Sequence, residues 1–361
     1  MNPSSADARF KRLESFLTQD PHNLVLLADA AASAISAGAF SRADEMVELG
    51  LQLSANDAGW TFRQATLRIA QRRQEEARAV LGSLAGLQVS HAAVVHNLAY
   101  IEFLEGNYAG SAALLKPLLE GATDAGDSPQ EPQAQALWLR ALHRMGAMQE
   151  AWTWTQERLR AGQLSANAAG VASLIALDLS HVEAAASLAS QALDAGVREL
   201  EPLVARSGAA LVSRDTKLAR DLLQEALQLS PDDARTWGSL GLAAMLDQRF
   251  ADARLAFQNA LKTHPHAEFL QGLGWACVMT DDLPTAAKAL DEAIGMDDSD
   301  AESHGARAVV YALKKDVIRA QACIDRASSL SASSQTAQLA KAIIDDKSAD
   351  ARTLLKAARL A

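Results

Sequence analysis

The sequence predicts an all-α solenoid built from about ten antiparallel helix pairs, and two observations carry that prediction. The first is local, in "WGSLGLAAMLDQRFADARLAFQNALKTHP", residues 237–265. At 100° per residue, Trp237, Leu240, Gly241 and Ala244 share one helical face, and Ala253, Phe257 and Ala260 share a face of a second helix. The polar "DQR" between them is a turn, and Pro265 closes the second helix. The second observation is periodic. The small residue opening the second helix recurs as Ala43, Ala77, Ser111, Ala151, Ala185, Ala219, Ala253, Ala286, Ala320 and Ala351, in steps of 34, 34, 40, 34, 34, 34, 33, 34 and 31.

Both observations have one physical cause. A side chain larger than a methyl group at the helix crossing would push paired helices beyond the ~8–10 Å packing distance. Gly241 and Ala253 therefore mark a crossing, and Trp237, Leu240 and Phe257 fill the space beside it. A lone hairpin cannot bury both of its faces, so stacked copies are required. Seven residues beyond each crossing residue the side chain is again mostly small or apolar, and Arg158 is the one outright break.

This pattern resembles the tetratricopeptide repeat. Trp237, Leu240, Gly241, Ala253, Phe257, Ala260 and Pro265 match its motif best, with Ala244 standing where the family has an aromatic residue. Leu270, Leu273, Gly274, Ala286, Leu290 and Ala293 come next, and residues 301–332 keep Tyr311, Ala320, Ile324 and Ala327. The resemblance runs from about residue 22 to the end. It implies a right-handed superhelical solenoid whose concave groove holds an extended peptide or a partner helix.

Taken in order, residues 1–21 are expected to form an N-terminal capping helix, with a second-type helical pattern over 7–19 that ends at Pro21. Residues 22–119 make repeats 1–3, their decayed motif still marked by Gly38, Phe40, Gly106, Asn107 and Tyr108. The 40-residue step places an insertion loop at residues 120–132, "EGATDAGDSPQEP", where Gly, Asp, Ser and Pro cluster. Residues 133–332 make repeats 4–9, of which the fourth carries Trp138, Trp152 and Trp154 and the fifth is rich in alanine. Residues 333–361 make a degenerate C-terminal capping repeat whose last helix turns basic and polar residues outward.

Composition narrows the function. The chain has 361 residues, 34 Lys and Arg against 44 Asp and Glu, and a net charge of −10 spread evenly along it. Without a basic block or stripe, the electrostatic footprint for nucleic acid or an anionic membrane is missing. No apolar run suits a signal peptide or a membrane span, and Cys277 and Cys323 sit inside helical patterns, so a cytoplasmic protein is expected. The alanine-rich, lysine-poor composition suggests a bacterial source.

Catalytic chemistry finds no foothold, and neither cofactor nor metal is expected. "GLGWAC" at residues 272–277 lacks the preceding strand of a dinucleotide fingerprint, and His264 and His266 flank a proline in an inter-repeat turn without nearby Cys or paired carboxylates. The pairs Asp232/Asp233, Asp281/Asp282 and Asp297/Asp298 sit where helix starts are expected, as capping residues would.

A protein or peptide partner is expected in the groove. The face of each first helix about 140° from the packing face carries two apolar patches. One contains His96, Tyr100, Phe103, Arg140 and Arg144, and the other Leu242, Met245, Trp275 and Met279. The carboxylate clamp known in the resembling family is absent, because only Asn97 fits its pattern. The leading expectation is thus a non-enzymatic scaffold or adaptor. A chaperone-like factor for a secreted or membrane-assembly client is one alternative, and a self-assembling structural protein, one copy's terminal helix filling the next copy's groove, is another.

Overall fold

The computed structural model describes residues 3–55, 57–84, 91–120 and 131–345. Among these the chain is all-α, with twenty helices. A leading helix, α1 (Pro3–Leu17), is followed by nine pairs: α2 (Leu24–Ser36) with α3 (Phe40–Leu53), α4 (Ala58–Ala70) with α5 (Gln74–Ser83), α6 (His91–Leu104) with α7 (Tyr108–Glu120), α8 (Glu131–Arg144) with α9 (Met148–Arg160), α10 (Ala166–Asp178) with α11 (Val182–Asp194), α12 (Leu200–Val212) with α13 (Thr216–Leu229), α14 (Ala234–Leu246) with α15 (Phe250–Thr263), α16 (Ala267–Met279) with α17 (Leu283–Met296), and α18 (Ala301–Leu313) with α19 (Val317–Leu330). A last helix, α20 (Gln335–Asp345), follows them. Most of the expected insertion loop (121–130) and the expected final helix (349–360) lie outside the described residues.

The chain divides into two compact units, residues 1–202 and 203–361. In the first, Phe10 and Leu17 of α1 pack with Leu27, Met46 and Trp60, while a second core runs from Ala99 through Leu139 and Trp152 to Ala192. In the second, Phe257, Trp275, Leu290 and Val309 belong to one core that ends at Ala340.

The crossing residues confirm the repeat register. All nine that are described, from Ala43 to Ala320, are 0% exposed. A side chain on Gly241 would place its Cβ 2.7 Å from the Phe257 ring, and one on Gly272 2.5 Å from the same ring. The small residues of two successive first helices thus make the space that Phe257 occupies.

The turn inside each pair repeats in the same register. One residue adopts positive φ at Gly38, Arg72, Gly106, Gly146, Ser180, Arg214, Gln248, Asp281 and Lys315. At Gln248 the amide donates to the carbonyl of Met245 and the next amide, Arg249, to that of Ala244. This double closure satisfies the helix end and holds a non-glycine residue in the left-handed region, which otherwise costs roughly 1–2 kcal/mol.

Helix starts explain most of the acidic pairs. Asp233 accepts from the Thr236 amide and Asp282 from the Thr285 amide. The Asp297/Asp298 expectation needs correction, because Asp300 is the residue that caps α18. Asp297 instead closes the preceding turn on Ser299, and Asp298 pairs with Arg326 at 2.6 Å.

The residue after the crossing position ties neighbouring repeats together. Asp44 accepts from Arg68 at 2.5 Å, Arg78 reaches Glu102 at 2.5 Å, and Arg254 reaches Asp282 at 2.9 Å. At the same place in the fourth pair Trp152 lies 5.2 Å from the His181 ring. Partly exposed ion pairs contribute about 0–1 kcal/mol each, so these contacts fix orientation more than stability.

Ser111 and Arg158 mark two exceptions. Ser111 stands where the other described crossings have alanine, and its buried hydroxyl has no hydrogen-bond partner. An unsatisfied buried hydroxyl costs about 1–3 kcal/mol, so Ser111→Ala is expected to raise stability by about 1 kcal/mol in chemical denaturation. A loss of stability would show that the hydroxyl is satisfied in solution. Arg158 donates to the carbonyl of Leu119 and to Gln163, and its guanidinium lies 5.3 Å from the Trp154 ring. A cation at the C-terminal end of α7 is favoured by the helix dipole, which accounts for a large residue in a small residue's place.

Candidate partner-binding groove

The first helices of the three N-terminal pairs line a cavity of about 520 Å³. Ile35 comes from α2, and Thr66, Ile69 and Ala70 from α4, with Arg72 in the turn after it and Gln74 opening α5. Asn97, Tyr100 and Leu104 come from α6. Spacing explains why α6 presents these three, since residues at i, i+3 and i+7 share one helical face. Tyr100 is 38% and Leu104 44% exposed, so the wall they form is open to an incoming side chain.

Of the residues expected at the N-terminal patch, Tyr100 lines this cavity, while His96 is half-buried on the same helix. Burial pushes the His96 pKa below the ordinary histidine value, and a hydrogen bond with Asn97 opposes it. The unfolded chain therefore binds more protons in the interval below about pH 6.5, so this contribution to stability is lost as pH falls through it. His96→Gln should remove that slope from thermal melts taken between about pH 5 and 7.5; an unchanged slope would contradict the buried neutral ring.

Phe103 departs from the expected patch. Its ring sits 5.2 Å from that of Tyr108 and packs against the neighbouring core rather than lining this cavity. Arg140 departs too, being committed within the chain. It reaches Glu201 at 2.6 Å and also Glu199. Burial works against its charge, but the two carboxylates outweigh burial and raise its pKa. Its neighbour His143 meets Asp178 at 2.8 Å, whereas Arg144 is exposed.

The C-terminal patch is mostly core. Trp275 is 8% exposed and packs with Phe257 and Leu290, while Met245 and Met279 are half-buried against the same cluster. Leu242 alone, at 52%, is well exposed. The groove face and the inter-repeat face overlap on α16, and there the inter-repeat contact prevails. Conversely, the sequence reading missed Ile35, Arg72 and Gln74 as groove residues. Arg72 could have been found from the turn register, which places it beside the end of α4.

No group of three or more His, Cys, Asp or Glu side chains suited to a metal ion occurs among the described residues, and both cysteines are free. No helix among them is long and apolar enough to cross a membrane.

Repeated helix pairs with a shared crossing and a shared turn define a tandem-repeat protein. The tetratricopeptide repeat family matches at residues 204–267 and 239–301. No curated protein matches it. Solved structures similar to it include the hetero-tetramer of the anaphase-promoting complex formed by Cut9 and Hcn1, at 14% identity and a TM-score of 0.42, covering 98% of this chain and 93% of that one. A tetratricopeptide repeat protein from Parabacteroides merdae ATCC 43184 is similar at 12% identity and a TM-score of 0.44, covering 71% of this chain and 99% of that one. YrrB, described as a tetratricopeptide repeat protein with an unusual peptide-binding site, is similar at 18% identity and a TM-score of 0.41, covering 54% of this chain and 98% of that one.

Proposed function

We propose that this chain is a protein-interaction scaffold, non-enzymatic and cytoplasmic, whose partner inserts a peptide or helix between α2, α4 and α6. One observation carries this reading: a cavity of about 520 Å³ with exposed Tyr100 and Leu104 on one wall and side chains able to hydrogen-bond, such as Asn97 and Gln74, among its lining. Concave apolar sites with a few polar groups suit recognition of side chains and backbone together. Tyr100 and Leu104 act as apolar anchors, and the partner's ordering cost is offset mainly by burying them.

The test uses a partner isolated with the full chain. Tyr100→Ala combined with Leu104→Ala is expected to weaken its binding at least tenfold, about 1.4 kcal/mol, without loss of helicity. Leu255→Ala, at a residue 57% exposed on α15, serves as the control. Equal affinity in the double variant and the control would remove the groove from the account.

A further inference from the structure

The groove's charge is opposite in sign to that of the chain as a whole. Although the protein carries a net charge of −10, Arg72 is the one charged side chain, and no carboxylate occurs, among the described residues that line the cavity. The neighbouring arginines are neutralised within the chain: Arg68 by Asp44, Arg73 by Glu76 at 2.6 Å, and Arg78 by Glu102 and Glu105. Arg72 is exposed and has no ion-pair partner among the described residues. Its backbone is fixed in the turn at φ 60°, closed by the Arg73 amide donating to the Arg68 carbonyl at 2.8 Å. A cation is thus held on a rigid support at the edge of an apolar wall.

Resting on the groove reading above, we infer that the occupant is an acidic-aliphatic peptide segment. Its aliphatic side chains lie against Ile35, Ile69, Tyr100 and Leu104, and an Asp or Glu carboxylate meets the Arg72 guanidinium. That pairing satisfies a guanidinium through charge-assisted hydrogen bonds, which are stronger than neutral ones. The Asn97 amide stands beside Tyr100 to take the peptide's main chain. A basic segment gains nothing here. The cavity between α7, α8 and α9 has the reverse polarity, with Glu120, Glu150 and Glu157 beside Lys116 among its described lining residues, and would disfavour an acidic segment.

The experiment selects random dodecapeptides on the full chain, then measures synthetic copies of the selected peptides against the wild type, Arg72→Gln and Tyr100→Ala. Glutamine already occupies the equivalent left-handed turn position at Gln248, so Arg72→Gln keeps the fold. Selected peptides that combine Asp or Glu with Leu, Ile or Val, and that bind Arg72→Gln about tenfold more weakly, are the expected result. Their affinity should also fall as salt is raised, because the pair is partly exposed. Peptides that need Tyr100 but bind Arg72→Gln as well as the wild type would overturn the acidic inference while leaving the groove in place. Peptides indifferent to Tyr100→Ala, or a failure to select any, would overturn the groove reading itself.

Discussion

Alanine at Phe257 is expected to lower the stability of the C-terminal unit by about 3–5 kcal/mol, the usual loss when a buried phenylalanine is truncated. The ring is 2% exposed and sits where Gly241 and Gly272 both withhold a side chain. Neighbouring backbones cannot close that gap without moving two helices, so the cavity persists and adds to the lost transfer energy. Urea denaturation followed by circular dichroism measures the loss. Because repeats are coupled mainly to their neighbours, hydrogen exchange should show it concentrated in α14 to α17. A change below about 1 kcal/mol would mean that the crossing relaxes freely and that the glycine pattern does not set the packing.

Trp275→Ala is expected to have an effect of similar size, about 3–5 kcal/mol, and for a reason that reverses the sequence expectation. By face alone, Trp275 belongs with Leu242, Met245 and Met279 in a binding patch. In the structure it packs into the core with Phe257, Leu290 and Val309, so its loss acts through folding. A partner bound between α2, α4 and α6 should keep its affinity for the variant at temperatures where the variant is folded. Unchanged stability with lost binding would place Trp275 on a recognition surface after all.

These two residues show where sequence reasoning holds and where it fails. The fold was legible because each pair must solve the same steric problem, and the crossing series from Ala43 to Ala320 records the solution directly. The left-handed turns were harder to see, since Arg72, Ser180 and Gln248 carry side chains where glycine would have advertised the geometry. The groove was legible only in part. Tyr100 is exposed and lines the cavity because α6 is open on that side, whereas Trp275 is buried because two neighbours of a first helix compete for almost the same face. Arg140 was missed as an internal pair because Glu199 and Glu201 lie about sixty residues away in sequence, where no short spacing links them. Arg158 broke the pattern for a reason written in the tertiary structure, its hydrogen bond to the carbonyl of Leu119 at the end of α7.

The central claim, that the partner lies between α2, α4 and α6, is tested most directly by site-specific photo-crosslinking in the native cell. A benzophenone amino acid at position 100 should yield one dominant adduct with a protein partner, while the same probe at position 255, exposed on α15, should not. Adducts at position 255 with none at position 100 would contradict the account and move the binding surface out of the N-terminal groove.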